Sequence, residues 1–291
     1  MYVFLIGTGR CGSTMVHELL ACHPGVGFIS NLEDRVPGVP PIARRSTNAL
    51  YRRAPASLRG TKGFRYAPSE AYRALAREVS STITEPSRDL VAADAIPWLA
   101  GRFQAFFATR AAAQRTPVFL HKFTGWPRAG FIAAVLPEAR FINVVRDGRA
   151  VVASGLKTPW WRGHRGPEQW PWGHLPPEYA AEWEASGRSF VLLAGLGWKL
   201  LMDAYASAHD LVPADRWLDV RFEAVLADPR SCFKEMLAHM ELEEERSFVR
   251  ALSGTRFAAD RGEAFRQELG SAAVELLERS LSGHLRRWGY S

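Results

Sequence analysis

Residues 4–14 run from an apolar stretch, Phe4 to Ile6, into a turn made of Gly7, Thr8, Gly9, Arg10, Cys11 and Gly12, with Ser13 and Thr14 opening a helix. This pattern is a phosphate cradle. Its glycines let the backbone wrap an anion, and successive N–H groups and the helix N-terminus point at it. The spacing is that of the triphosphate loop G-x-x-x-x-G-K-[ST], with Ser13 standing where the lysine belongs. That lysine normally reaches the β- and γ-phosphates. Its absence argues against an ATPase or kinase and for a nucleotide with a shorter phosphate tail, while Arg10 restores a cation elsewhere in the loop. Taken alone, the glycines would equally make a tight strand-to-helix turn.

Residues 140–154 repeat the strand-turn-helix plan and put Arg146 at the strand's carboxyl end and Ser154 on the following helix. Ligands of open α/β sheets bind at those carboxyl ends. A guanidinium and a hydroxyl together suit a phosphomonoester, the first supplying charge and paired donors, the second one more donor. The bland alternative is Arg146 closing the strand end through Asp147.

Together the two motifs resemble the sulfotransferases that use 3′-phosphoadenosine 5′-phosphosulfate (PAPS). The 5′-phosphosulfate loop of that family reads like Arg10 to Thr14, and its R-D-x-R-x-x-x-x-S motif matches Arg146, Asp147, Arg149 and Ser154. Further stretches agree: Ala21 to Pro24, Leu218 to Glu223 with Asp228 and Pro229, and Trp288 to Tyr290. The resemblance implies a P-loop-like α/β core, PAPS as sulfuryl donor, adenosine 3′,5′-bisphosphate as product, and no metal. Arg10, Cys11, Gly12, Ser13 and Thr14 would hold the 5′ end of the donor, and Arg146 and Ser154 its 3′-phosphate. Phe222 stands near the adenine where a tyrosine is usual, keeping stacking but losing a hydroxyl. Cys11 likewise replaces a common serine.

Sulfuryl transfer needs a base for the acceptor hydroxyl, in-line geometry, and cations at the oxygen that departs with the nucleotide. Protein-tyrosine sulfotransferases carry a Glu-x-Arg after the second strand, the glutamate acting as base. The resemblance therefore implies Glu33 as base, Arg35 as its neighbour or a substrate clamp, and Asp34 as the fallback. A solvated loop carboxylate is the plain alternative for Glu33. Lys122 matches the family lysine that approaches the sulfuryl group, and with Arg10 it would stabilise the departing oxyanion. Cytosolic relatives use a histidine two residues past this lysine. Here that position is Thr124, which is no base at neutral pH, so a carboxylate mechanism is favoured. His121 should face away from Lys122 on an alternating strand.

Trp160, Trp161, Trp170 and Trp172 cluster among glycines and prolines, as a lid or acceptor wall would; their faces suit sugars, lipids and aromatic rings alike. Tryptophans that only seal the core would look the same. Arg44, Arg45, Arg52 and Arg53 would recognise an acidic acceptor or form a solvated basic face. The acceptor class is thus a small-molecule, glycan or lipid hydroxyl, with Arg35, Trp160, Trp161 and Trp170 as candidate contacts.

The elements that must position these groups are legible in outline. Apolar runs at Tyr2–Ile6, Val26–Ile29, Val118–Leu120, Arg140–Val145 and Trp217–Val220 alternate with helical periodicity. Helices are expected at Ser13–Cys22, Ser69–Ser80, Trp98–Ala113, Arg149–Leu156, Pro177–Ala208, Pro229–Met240 and Ser271–Arg287. The alternation predicts an α/β fold with a mostly parallel sheet flanked by helices. At 291 residues and 47% hydrophobic, one domain over 1–291 is expected, with irregular insertions at about 31–68 and 158–177. The formal charge of +7 attracts anionic ligands. However, the scattered basic residues and the lack of any helix-turn-helix, zinc-knuckle or RNP pattern argue against nucleic acid. Three cysteines without a C-x-x-C pair fit a reducing compartment. No run of eighteen apolar residues suggests a membrane span, and the first apolar run is too short for a signal core, so a cytoplasmic protein is expected. The competing readings are a P-loop kinase or hydrolase, which would need the loop lysine and a metal-holding carboxylate, and a PAPS or bisphosphate binding module without chemistry.

Overall fold

The computed structural model describes all residues except 60, 62, 258–262 and 291. Strands β1 (Tyr2–Ile6), β2 (Val26–Gly27), β3 (Val118–Lys122), β4 (Arg140–Val145) and β5 (Trp217–Arg221) form one sheet in the order β2-β3-β1-β4-β5. Every pairing is parallel. Strands β1, β3 and β4 are buried almost throughout, as parallel strands covered on both faces must be. Register places Leu5 of β1 beside Lys122 of β3 and Ile142 of β4, and Val145 of β4 beside Arg221 of β5. The turn after β1 is therefore flanked by the carboxyl ends of β3 and β4, which carry Lys122 and Arg146.

Period-two alternation divides the core between the two faces. Val3, Leu5, Leu120, Ile142 and Val144 pack beneath the helices Ser13–Leu20, Pro229–His239 and Arg246–Ser253. Phe4, Phe119 and Phe141 face the helix Pro97–Gln114, whose Phe103 and Phe107 rings lie 6.4 and 5.3 Å from that of Phe4. A third cluster binds the helix Gly148–Gly155 to the helices Phe190–Leu211 and Ser271–Arg287 through Val151, Val152, Trp198, Leu277 and Leu281. Gly148 permits this approach, since a Cβ there would lie 2.6 Å from the Trp198 ring. The helix Phe190–Leu211 is long and apolar enough to cross a membrane by length and composition alone, and most of its apolar stretch is buried inside the molecule.

Several expectations change. The insertion 31–68 is largely helical, with helices at Asn31–Arg35, Pro41–Arg53 and Ala56–Arg59. Its prolines masked a helical stripe: Arg44, Thr47, Asn48 and Tyr51 turn inward at i, i+3, i+4 and i+7, and Pro41 occupies the first turn, where its missing N–H costs nothing. The long helix expected over 177–208 is two, Pro177–Ala185 and Phe190–Leu211, separated by left-handed Gly187 and Arg188, with Ser189 capping the second. The expected helix 69–80 contracts to Tyr72–Glu78 behind left-handed Ala71, and the helices Ala129–Val135, Phe222–Ala227, Arg246–Ser253 and Ala264–Leu269 are additions that periodicity does not announce.

Candidate functional site

The turn after β1 takes backbone shapes that only its own residues allow. Gly9, Arg10 and Gly12 have φ of 82°, 55° and 89°. A Cβ on Gly7 would lie 2.5 Å from Cys11 Sγ and 2.8 Å from the Val144 carbonyl. One on Gly12 would lie 2.1 Å from the Phe222 ring, so Phe222 rests directly on the loop. Gly12 gives the helix Ser13–Leu20 no side-chain cap, which leaves its N-terminus to a ligand.

The two phosphate motifs meet. Arg10 Nε donates to Ser154 Oγ at 3.0 Å, and Arg146 Nη1 donates to the Arg10 carbonyl at 3.0 Å. The Arg146 guanidinium also lies 5.3 Å from the Phe222 ring centre. Burial lowers the Arg146 pKa, with Glu223 opposing, yet a guanidinium remains charged at any working pH. Asp147 does not hold Arg146. It caps the helix Gly148–Gly155 by accepting from Arg149 N and grips the Arg149 guanidinium at 2.7 Å, while Arg149 Nη1 reaches Glu278 at 2.7 Å. Arg149 is thus part of the scaffold. Glu223, which sequence reasoning passed over, ties three parts together: it accepts from Asp147 N at 3.1 Å and from the Tyr290 hydroxyl at 2.8 Å.

These groups line one end of a cleft of about 1370 Å³, with Arg10, Gly12, Ser13, Thr14, Arg146, Ser154 and Phe222 all on its wall. Cys11 lies buried beneath the loop. The other end, on the β3 side, carries Glu70, Tyr72 and Thr124, and the wall is completed by Thr84, Trp160, Pro171 and Trp172, of which Trp160 and Trp172 also stand beside Thr8, Gly9 and Arg10 of the loop. Such a volume accommodates a nucleotide together with a second ligand. Of the predicted tryptophans Trp160 reaches this wall, while Trp161 and Trp170 are buried, Trp170 donating Nε1–H to the Gly173 carbonyl at 2.6 Å. Trp172 takes their place; a Cβ on Gly125 would lie 2.9 Å from its ring.

Lys122 lies behind the far end, where its Nζ donates to Thr14 Oγ1 at 2.7 Å and pairs with Glu70 Oε1 at 2.8 Å. The other oxygen of Glu70 accepts from Thr124 Oγ1 at 3.0 Å. Burial pushes the Glu70 carboxyl up, but the Lys122 ammonium and hydrogen bonds from Lys122, Tyr72 and Thr124 outweigh it and hold the pKa below the ordinary value. Sequence puts Glu70 in the first turn of the helix expected at 69–80, with no motif to mark it, whereas the structure places it in a short link between Pro68 and the helix Tyr72–Glu78. Its pairing with Lys122 exists only in three dimensions.

Glu33 is not brought to the cleft, which corrects the expectation that it faces the reacting groups. It is 2% exposed, with Oε1 2.7 Å from Arg110 Nε and 3.2 Å from Arg44 Nε, ion pairs by distance whose angles fall short of hydrogen bonds. Burial raises its pKa and the two arginines oppose the rise. The fallback, Asp34, accepts from Ala74 N at 3.0 Å and so holds the helix Tyr72–Glu78. Arg35 is exposed and absent from the cleft wall. Arg44 turns to Glu33, Arg52 turns to the Ala21 and Val26 carbonyls, and Arg45 and Arg53 point to solvent. None of the four lines the cleft. His121 lies among Phe4, Phe107 and Phe123, and neither ring nitrogen has a hydrogen-bond partner among the described residues. Burial, then Arg110, Lys122 and Arg128, lower its pKa to about 3, so the ring is neutral. Among the described residues no three His, Cys, Asp or Glu side chains gather as metal ligands.

A family model described as "Sulfotransferase family" matches residues 3–246. Among curated proteins nothing matches. The sulfotransferase STF9 from Mycobacterium avium superposes with a TM-score of 0.60 at 11% identity, over 99% of this chain and 77% of that one. The sulfotransferase domain from the curacin biosynthetic pathway gives 0.52 at 10% identity, over 96% of each chain. At such identities the structures establish a shared fold, and the family match independently reaches from the first strand to the helix Arg246–Ser253. The parallel sheet, the phosphate loop between the ends of β3 and β4, and the family match over most of the length lead to one assignment: this chain belongs to the sulfotransferase family.

Proposed function

We propose that the protein transfers the sulfuryl group of PAPS to a hydroxyl acceptor, a small molecule or the hydroxyl of a glycan or lipid, with Glu70 as general base. The observation that carries this is the placement of two ionic centres on either side of one phosphate loop. Arg10, Arg146 and Ser154 offer a guanidinium pair and a hydroxyl to a phosphomonoester, the group that separates PAPS from other adenine nucleotides. Thr14, Lys122 and Glu70 lie on the other side.

In the step, the acceptor oxygen forms the new S–O bond as its proton passes to a Glu70 carboxylate oxygen. The bond from sulfur to the bridging oxygen breaks, and its electron pair leaves on the 5′-phosphate of adenosine 3′,5′-bisphosphate. Lys122 stabilises the negative charge arriving there, while Arg10, which the sequence motif pairs with it, is turned to Ser154. Glu70 replaces Glu33 in this role because it lines the cleft and Glu33 does not. Tyr72, Trp160 and Trp172 on the cleft wall supply aromatic faces to the acceptor. Arg35, proposed from sequence as a clamp, has no part in this reading.

Isothermal titration against the bisphosphate, PAPS and ATP tests the donor. Tight binding of the first two with little ATP binding is expected, and the reverse order removes the reading. Transfer of labelled sulfate from PAPS to a panel of hydroxyl compounds then separates an enzyme from a binding module.

A further inference from the structure

Glu70 is held on one side by Lys122 and on the other by a chain of hydroxyls. Thr124 N donates to Tyr72 Oη at 3.3 Å, and Tyr72 Oη lies 3.2 Å from Thr124 Oγ1. Thr124 Oγ1 in turn donates to Glu70 Oε2 at 3.0 Å. A threonine hydroxyl has one proton. Since that proton goes to the carboxylate, the Tyr72 hydroxyl is left to donate to Thr124, at Oγ1 or at its carbonyl 3.3 Å away, or to Glu70 itself. Burial, followed by Glu70, raises the Tyr72 pKa, so the phenol keeps the proton this chain needs. Both hydroxyls therefore support the charged carboxylate, Thr124 by direct donation and Tyr72 through Thr124 or directly, and hydrogen bonds in such a network polarise one another.

Lys122 has two partners, Thr14 on the phosphate loop and Glu70. Were Lys122 the only group holding Glu70, the lysine could not turn to a donor without releasing the base. The hydroxyl chain removes that conflict. We propose, resting on the reading above in which Glu70 is the base, that Thr124 is a positioning residue which, with Tyr72 behind it, keeps the Glu70 carboxylate charged and aimed across the cleft while Lys122 serves the donor. Thr124 thus supports a base supplied from another segment and takes no proton itself.

The test uses the whole protein, an acceptor found in the transfer screen, and rate against pH. Thr124→Val removes the donated hydrogen bond and keeps the shape. Losing a bond to the charged form raises a carboxylate pKa, so the acid limb of kcat should move to higher pH, and a base that is less well aimed should separately lower kcat near neutrality about tenfold. Binding of the bisphosphate, read by titration calorimetry, should stay within about twofold of the parent. Thr124→Ser should restore both limb and rate. Tyr72→Phe should move the limb the same way by less, and it becomes the deciding variant if Thr124→Val fails to bind nucleotide. An unmoved limb and rate in Thr124→Val, or in Tyr72→Phe where that variant decides, overturns the proposal. Glu70→Gln separates the two layers. Near-parental turnover in Glu70→Gln removes Glu70 as base and the positioning role with it, whereas an inactive Glu70→Gln beside an unchanged Thr124→Val removes the positioning role alone.

Discussion

The two ends of the cleft are built on different plans. At the donor end every group sits at or just past the carboxyl end of a strand: the loop 7–14 follows β1 directly, Arg146 follows β4, Phe222 follows β5, and glycines allow ring and backbone to touch. The reacting end draws on the segments between strands as well. Glu70 and Tyr72 come from the excursion between β2 and β3, Lys122 and Thr124 from the end of β3, and Trp160 and Trp172 from the segment after the helix Gly148–Gly155. Backbone shape carries the first end and side-chain pairing the second. Substitutions at the first should therefore abolish nucleotide binding, and those at the second should leave binding intact and stop transfer.

The sharpest break of this contrast is Glu70→Gln. Losing a general base lowers turnover by roughly 10²- to 10⁴-fold, while bisphosphate affinity should hold; calorimetry beside a sulfate-transfer assay reads both. A parallel loss of binding would mean that the two ends are not separable. Next comes Arg146→Ala, which removes charge-assisted contacts worth about 1.5–3 kcal/mol and should weaken bisphosphate binding by roughly 10- to 100-fold. Gly12→Ala should act in the same direction through shape alone, since its Cβ would enter the Phe222 ring at a φ of 89°.

Glu33 and Glu70 carry the same contrast into a single excursion of the chain. Both are carboxylates paired with cations, but Glu33 is sealed between Arg44 and Arg110 whereas Glu70 faces the cleft. Removing one member of a buried ion pair leaves uncompensated charge, so Glu33→Gln should cost roughly 3 kcal/mol of stability in urea unfolding and spare kcat at permissive temperature. If kcat falls as far as in Glu70→Gln, the division between a structural and a reacting carboxylate is wrong.

What could be read from sequence follows the same line. The sheet, the loop 7–14 and the pairing of Arg146 with Ser154 were legible because strand period, glycine placement and short spacing are one-dimensional signals. Glu33 was chosen by its position after the second strand, and what sequence could not show was Arg110, distant along the chain, reaching it from the helix Pro97–Gln114. Glu70 escaped for the mirror reason, since its partner Lys122 belongs to another element. The helices inside 31–68 were hidden by prolines that in fact start the helix Pro41–Arg53. Trp172 was noticed as one of a cluster, but which tryptophans line the cleft and which seal the core depends on contacts with Gly125 and Gly173.

The smallest expected effect concerns pH and again distinguishes the two ends. At the donor end the Arg146 guanidinium is charged at any working pH. Behind the reacting end, Asp89 accepts from Arg128 N at 2.7 Å and Leu90 N at 3.0 Å, and Arg128 reaches on to the Thr124 and Trp126 carbonyls. Burial raises the Asp89 pKa to about 6, against hydrogen bonding and charge from Arg128. A carboxyl raised in the folded state takes up its proton there before the unfolded chain does. Its contribution to stability is fully present below the ordinary carboxylate pKa and is lost as pH climbs through about 6. Asp89→Asn cannot titrate, so the parent-minus-variant difference in unfolding free energy should decline between about pH 4 and 6 with a slope of at most about 1.4 kcal/mol per pH unit, then level off. Urea unfolding across that range measures it, and a flat difference would show that Asp89 ionises in the folded protein as it does in the open chain. Bisphosphate affinity over the same range should differ little between parent and variant, because Asp89 is bonded to Arg128 and Leu90 and not to Arg146 or Ser154.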